Sequence, residues 1–250
     1  MHRLAALSLA VVMVGGPAAG QPLPLDRVIE EDVSIRLPLP DCAVGGIAGR
    51  IARIIQEPAG IEYWPGSCRV EPRRPGDVPE SVRFTGMAAR EALDRLVELD
   101  PRYRWSESNG VIVVRPLVAW TDPTHFLHRT GPSFRVSDQH MGGALEAIMT
   151  ALGPFPRAPS LELRTFTTPQ GNHRFSVDLG ATSIIEALDA VVRAHGALLW
   201  TVTYCLPQAR HENATVSFLA YDGSGIGSHG AVLTDAVGKS YSPCYPATRR

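Results

Sequence analysis

The sequence predicts an α+β protein built from two tandem β-α-β-β-α-β-β units, each with helices packed on short mixed sheets. The first observation is an ungapped repeat: residues 91–105 read EALDRLVELDPRYRW and residues 186–200 read EALDAVVRAHGALLW, with six of fifteen positions identical. The second is that both segments carry an apolar stripe at helical spacing, followed by residues that alternate at the period of a strand. The duplication extends over residues 32–116 and 132–222.

The elements of the first repeat follow from apolar spacing and from residues that interrupt it. Pro58-Ala59-Gly60 ends the first helical pattern, Asp100-Pro101 ends the second, and Ser108-Asn109-Gly110 forms a hairpin turn. The predicted elements are a strand over residues 33–37, a helix over 44–55, strands over 61–64 and 82–84, a helix over 89–99 and a hairpin over 103–114.

The second repeat follows the same order. Gly153-Pro154 ends its first helix, and His195-Gly196 ends its second. Its hairpin has a longer loop, residues 205–213. The predicted elements are a strand at residues 134–136, a helix over 141–152, strands over 161–163 and 177–179, a helix over 187–192, and strands over 198–203 and 215–221.

This order, with the segments VRFTGMAAREALDRL and YRWSESNGVIVV, resembles the secretin and TonB short N-terminal (STN) domain, once per repeat. The resemblance implies a small periplasmic α+β domain that makes protein contacts and has no catalytic residues of its own. We expect a signal peptide at residues 1–20, a first repeat at 21–118, a linker at 119–131, a second repeat at 132–222 and a tail at 223–250.

The first twenty residues, MHRLAALSLAVVMVGGPAAG, have the basic start, short apolar run and small residues of a secretory signal peptide. No later apolar run approaches the roughly 20 residues of a membrane helix. Removing Arg3 leaves 23 basic against 25 acidic side chains, which disfavours nucleic acid and anionic membranes as partners. We expect a soluble exported chain, periplasmic or secreted.

Four cysteines occur, an even number that suits disulfide bonding in an exported protein. Chain proximity favours Cys42 with Cys68 and Cys205 with Cys244, although four cysteines allow three pairings. No cysteine has another at zinc-ligand spacing, so no metal is expected.

Two short motifs invite a chemical interpretation. Residues 225–230 spell G-x-G-x-x-G but lack the helix, strand and acidic residue of a dinucleotide site, so a flexible tail is the better interpretation. His125 and His128 form an H-x-x-H pair between the repeats, in a segment that Pro123, Gly131 and Pro132 interrupt. That interruption favours a solvated linker over a metal site.

The remaining candidates also favour structural roles. Glu91 with Asp94, and Glu186 with Asp189, recur at one spacing, as a solvated helix face would. Trp105 and Trp200 occupy equivalent strand positions and are expected in the core, as are Leu93 and Leu188 on the helices. We expect no catalytic residue and no cofactor.

The first functional hypothesis is a non-catalytic interaction module that binds another cell-envelope protein, for example by strand addition to its hairpins. Its candidate binding residues are Val113 and Leu219 in the hairpins, and the unrepeated aromatics Tyr63, Trp64 and Trp120. The alternative is a secreted enzyme or carbohydrate-binding protein that uses the cleft between the repeats. The oligomeric state stays open.

Overall fold

A computed structural model describes residues 24–37, 43–63, 80–151, 170, 172–204, 214–221 and 225–227. Within these residues, ten strands and five α-helices confirm the predicted α+β class. The predicted signal peptide, all four cysteines, Trp64 and the expected strand at 161–163 lie outside the described residues.

The repeats place equivalent elements in the same order. The first contains β1 (Ser34–Arg36), α1 (Ala43–Ile55), β2 (Ala59–Glu62), β3 (Ser81–Arg83), α2 (Ala89–Leu99), β4 (Tyr103–Ser108) and β5 (Val111–Pro116). Between the repeats lie α3 (Leu117–Thr121) and a 3-10 turn, Phe126–His128. The second contains β6 (Thr130–Gln139), α4 (Met141–Ala151), β7 (Phe175–Ser183), α5 (Ile184–His195), β8 (Leu198–Tyr204) and β9 (Ala214–Ala220). A short strand, β10 (Gly225–Gly227), follows.

Local chemistry sets the ends of α5. Ser183 and Glu186 form a capping box, in which each side chain accepts a hydrogen bond from the other residue's backbone N–H. Hydrogen bonds from Ser183 and Thr182 lower the pKa of Glu186. The helix ends at Gly196, whose φ of 77° lies in the left-handed region that glycine tolerates. In α2 the equivalent N-cap residue is Ala88, which has no side-chain cap.

Both repeats contribute strands to one sheet. Its order is β10-β9-β8-β2-β5-β4, and β2 of the first repeat pairs in parallel with β5 on one side and with β8 of the second repeat on the other. The remaining strands form the antiparallel pairs β1-β3 and β6-β7. Backbone hydrogen bonds therefore join the repeats, and the prediction of two separate domains is not confirmed. Residues 225–227 lie in this sheet, which corrects the flexible-tail interpretation there.

The helices cover the two faces of this sheet. One core contains α1 and α2 with Ile112 and Val114 of β5, and the other contains α4 and α5 with Val111 and Val113. All six residues of β5 are buried. A strand that is covered on both faces has an apolar run instead of an alternating pattern, and VIVV in β5 is such a run.

The repeated EALD…W pattern corresponds to a repeated hydrogen bond. Trp105 Nε1 donates to Asp94 Oδ1 over 2.8 Å, and Trp200 Nε1 donates to Asp189 Oδ1 over 2.7 Å. Asp189 is partly buried, which corrects the interpretation of this carboxylate as part of a solvated face. Leu93 and Leu188 are both buried, as predicted. Trp200 is fully buried but Trp105 only partly, so their expected burial is confirmed for Trp200 alone.

Gly60 allows β2 to lie beside Trp200. The two residues are register partners, and a Cβ atom built on Gly60 would lie 2.0 Å from Trp200 Cε2. No real Cβ approaches an atom so closely, so the indole occupies the space of the missing side chain. Glycine in a strand interior often marks such a close approach.

We expect Gly60→Ala to lower the free energy of unfolding by about 1–3 kcal/mol, because the added methyl group would overlap the indole ring. The matched control is Gly46→Ala in α1, where an added Cβ has no neighbour within 4 Å. That control should gain about 0.5–1 kcal/mol from the helix propensity of alanine. Urea denaturation of both variants tests the pair, and equal stabilities would contradict the close approach.

Candidate functional site: an open sheet edge beside a buried polar cluster

The outer edge of β4 carries backbone groups that point away from the sheet. Leu117 N–H donates to Arg102 O, so Arg102 and Leu117 form a hydrogen-bonded pair. In the register of β4 with β5, the next hydrogen-bonded residues of β4 are therefore Arg104 and Ser106. Because antiparallel residues alternate between bonded and non-bonded pairs, Trp105 and Glu107 direct their N–H and C=O groups outward. No described element pairs with that side of β4.

In the second repeat, the backbone groups at the equivalent positions of β8 are paired with another strand. The bond from Tyr221 N–H to Ala197 O sets an equivalent pattern in β8, so Trp200 and Val202 direct their backbone groups away from β9. There β2 pairs with them, and Tyr63 N–H donates to Val202 O over 2.8 Å. Strand β2 thus fills on β8 the positions that no described strand fills on β4.

The side chains along β4 differ from those of β8 in a way that matches this exposure. Arg104 and Glu107 are exposed, whereas their equivalents Leu199 and Val202 are buried. Trp105 is partly buried, and the Arg90 guanidinium carbon lies 5.7 Å from its ring centroid, in cation–π range. Along the open edge, Trp105 and Glu107 therefore share one face of the sheet, and Arg104 lies on the other.

Helix α3 adds an apolar patch close to the start of β4. Leu117 and Val118 are 44% and 55% exposed, among the few large hydrophobic side chains that the described surface presents. Trp120 is partly buried between two guanidinium groups, with its ring centroid 5.7 Å from the Arg104 carbon and 5.2 Å from that of Arg115. Arg104 of β4 thus contacts Trp120 in the same helix that carries this patch.

The predicted binding residues lie elsewhere. Val113 is buried in β5 between β2 and β4, and Leu219 is in β9 between β8 and β10. Each of these two residues has a register partner on both sides, so the expectation that a partner strand is added at Val113 or Leu219 is wrong. The Tyr63 ring packs against α1, where a Cβ on Gly45 would lie 2.5 Å from Cε1. Of the candidates that the structure describes, Trp120 alone lies close to the β4 edge.

A buried polar cluster lies at the C-terminal end of β5, next to α3. Arg115 and Glu62 are 0% and 1% exposed, and Arg115 Nε donates to Glu62 Oε2 over 2.6 Å. The other guanidinium nitrogens lie within hydrogen-bond distance of His128 Nε2, Ala119 O and His125 Nδ1. The cluster therefore joins β2 and β5 to the segment between the repeats.

Arg115 sets the tautomers of both histidines, because a guanidinium can only donate hydrogen bonds. His125 Nδ1 accepts from Arg115 and from Leu127 N–H, so its proton lies on Nε2, 2.9 Å from Glu62 Oε1. His128 accepts through Nε2, and its Nδ1 donates to Asp122 O. Burial, and then the charge of Arg115, lower the pKa of His128.

These contacts correct the interpretation of residues 119–131 as a solvated linker. His125, Phe126 and Leu127 are buried, and Phe126 and Leu127 belong to the core of the second repeat. A metal ion would meet the Arg115 guanidinium at the centre of the cluster. No group of three or more metal-ligating side chains occurs among the described residues. No described helix is long and apolar enough to span a membrane.

The sequence contained signals for these features. Glu62 and Arg115 each lie in an otherwise apolar strand, and two opposite charges at such positions indicate a buried ion pair. Gly60 within a strand indicated a close approach. The open edge of β4 had no local signal, because it depends on which strands pair across the repeats.

No family model, curated protein or solved structure matches the chain. The resemblance to STN domains therefore stays a prediction.

We expect proline to have opposite effects at two equivalent positions. Glu107→Pro removes an N–H that points away from the sheet, so the free energy of unfolding should change by less than about 1 kcal/mol. Val202→Pro removes an N–H that faces β2 inside the sheet and should cost about 3 kcal/mol or more. Urea denaturation measures both. A loss at Glu107 as large as that at Val202 would show that the outer edge of β4 is occupied.

Breaking the buried ion pair should cost more than removing it. Glu62→Gln or Arg115→Met alone leaves an uncompensated buried charge or polar group and should lower the free energy of unfolding by about 3–5 kcal/mol. The double variant should recover part of this loss, because it leaves neither charge unpaired. A double-mutant cycle in urea measures the coupling, and strictly additive losses would contradict a direct pair.

Asp189 should make the free energy of unfolding depend on pH. Burial raises the pKa of Asp189 to about 6. The native state thus holds this proton more tightly than the unfolded chain, and the resulting stability is lost as pH rises from about 4 through about 6. Asp189→Asn should therefore be more stable than the parent at pH 7, by roughly 1–3 kcal/mol, with a smaller difference at pH 4. Exposed Asp94→Asn is the control. A stability difference independent of pH would contradict the assignment.

Proposed function

We propose that the mature chain is an exported interaction module of the bacterial cell envelope, without catalytic activity, that binds its protein partner by strand addition to the outer edge of β4. The observation that carries this proposal is the set of outward backbone groups of Trp105 and Glu107. Each unpaired N–H or C=O is a hydrogen-bonding site that an added strand can satisfy.

The charged residues of this edge fit both a binding site and an edge protected from aggregation. Arg104 and Glu107 discourage unselective pairing between apolar strands. The same charges can select a partner of complementary sequence. The exposed apolar pair Leu117 and Val118, close to the start of β4, offers additional contact area and favours a binding role.

Two observations favour binding over the enzyme or carbohydrate alternative. The charged cluster around Arg115 is enclosed, and its groups bond to one another, so a substrate would have to break these bonds to reach them. The side chains packed between the repeats around β5 are apolar: Val111 and Val113 of the first repeat share a core with Leu188 of the second. A ligand cleft between the repeats would need converging polar side chains.

Export has a direct test. The protein purified from the periplasm of a bacterium that expresses the full chain should begin near Gln21, because signal peptidase cleaves after small residues such as Ala18-Ala19-Gly20. N-terminal sequencing and cell fractionation provide the measurement. A cytoplasmic protein that retains Met1 would contradict the proposal.

Partner binding can be tested by photo-crosslinking in the same cells. A photoreactive amino acid at exposed Ser108 should yield a discrete crosslinked species with an envelope protein, whereas one at exposed Glu98 on α2 should not. Adding Glu107→Pro should reduce the Ser108 product, because proline removes an outward donor from β4. Equal crosslinking with and without proline would contradict strand addition.

A further inference from the structure

We infer that the partner strand runs parallel to β4 and places a glycine opposite Trp105, an acidic residue opposite Arg104 and a basic residue opposite Glu107. This inference rests on the proposed function and specifies the chemistry of the partner. Its basis is the equivalence of β4 and β8, since the chain already contains a strand, β2, that occupies the corresponding edge of β8.

The direction follows from that internal pairing. Strands β4 and β8 each form the first strand of the closing hairpin, and their outward groups come from equivalent residues, Trp105 with Trp200 and Glu107 with Val202. Strand β2 runs parallel to β8 and bonds to Val202 O through Tyr63 N–H. A strand that repeats these bonds on β4 must also run parallel.

The glycine follows from the indole rings. Trp105 and Trp200 donate from Nε1 to the equivalent aspartates, Asp94 and Asp189, over nearly equal distances, so the same bond orients both rings. Trp200 lies over Gly60, where a Cβ atom would be 2.0 Å from the ring. An equivalent neighbour of Trp105 must leave the same space. Covering the exposed part of Trp105 would also bury apolar surface.

The charges of the partner strand follow from two positions at which β4 has a charged residue and β8 an apolar one. Leu199 faces Ala59 and Val202 faces Glu62 in the internal pair, whereas Arg104 and Glu107 occupy these positions on β4. Opposite charges that face each other across strands are favourable, and like charges are not. The partner segment therefore reads acidic, glycine, any residue, basic.

A second molecule of this chain fits the edge poorly. Its β2 is already paired on both sides. Two β4 edges could pair about a twofold axis, but facing residues then lie on the same side of the sheet. Trp105 would meet Tyr103, Glu107 or the other Trp105, all of which are bulky. A segment of a different protein is therefore the inferred occupant.

The test uses synthetic peptides and the mature protein, residues 21–250. The probe peptide copies residues 57–64 with Ala59→Glu and Glu62→Arg, which places the acidic and basic residues in register. One control peptide adds Gly60→Val, and another carries Ala59→Arg with Glu62 unchanged, which reverses both charges. Amide hydrogen exchange by NMR reports on Trp105 and Glu107, with Val202 as the internal reference.

The probe should slow exchange at Trp105 and Glu107 and leave Val202 unchanged. The Gly60→Val and charge-reversed peptides should bind at least about tenfold more weakly, a difference of about 1.4 kcal/mol. A nitroxide on the N-terminus of the probe should broaden the Arg104 amide more than the Ser108 amide. The protein variant Glu107→Pro should lose the effect, since it lacks an outward donor.

The outcomes separate the inference from the proposed function. Equal binding by the Gly60→Val peptide, stronger broadening at Ser108, or exchange changes at Val202 would overturn the inference. Absence of binding by the probe, while the cellular crosslink at Ser108 persists, would also overturn it but leave strand addition standing. Absence of both the binding and the crosslink would overturn both.

Discussion

The parallel pairing of β2 with β8 is the interaction on which the rest of the structure depends. It joins the strands of two small units into one sheet, and helices of both repeats then cover the two faces of β5. Small domains bury a low fraction of their surface and are marginally stable. Joining the repeats through backbone hydrogen bonds lets their helices cover a common sheet. Gly60 is the local condition for this pairing, because any side chain there would displace Trp200.

The segment between the repeats reinforces the same junction by different chemistry. Glu62 belongs to the strand that joins the repeats, and Arg115 belongs to its neighbour in the first repeat. His125 and His128 close the cluster from the segment that leads to the second repeat. A buried charge is costly unless it is paired and hydrogen-bonded, so this cluster forms only when β2, β5 and the intervening segment are all in place.

The local elements could be predicted from the sequence, whereas their pairing could not. The stripe of α1, the end of α5 at Gly196 and the hairpin of β4 with β5 depend on neighbouring residues. The joined sheet depends on residues more than a hundred positions apart, and hydrophobic periodicity carries no information about such pairs. The same reason explains the misplaced binding residues: the run VIVV indicates a buried strand, but only the full strand order distinguishes an inner strand from an edge.

The two repeats are joined by a heterologous contact, in which each repeat contributes a different strand. In an isologous arrangement both units would use the same surface. Here the second repeat contributes β8 and the first contributes β2, two different surfaces, and no described strand covers the outer edge of β4 in the first repeat. A row of units joined in this way keeps one uncovered edge unless its curvature brings the first and last units together. The same positions of the repeat are accordingly charged and exposed at Arg104 and Glu107, but apolar and buried at Leu199 and Val202, where β2 covers them.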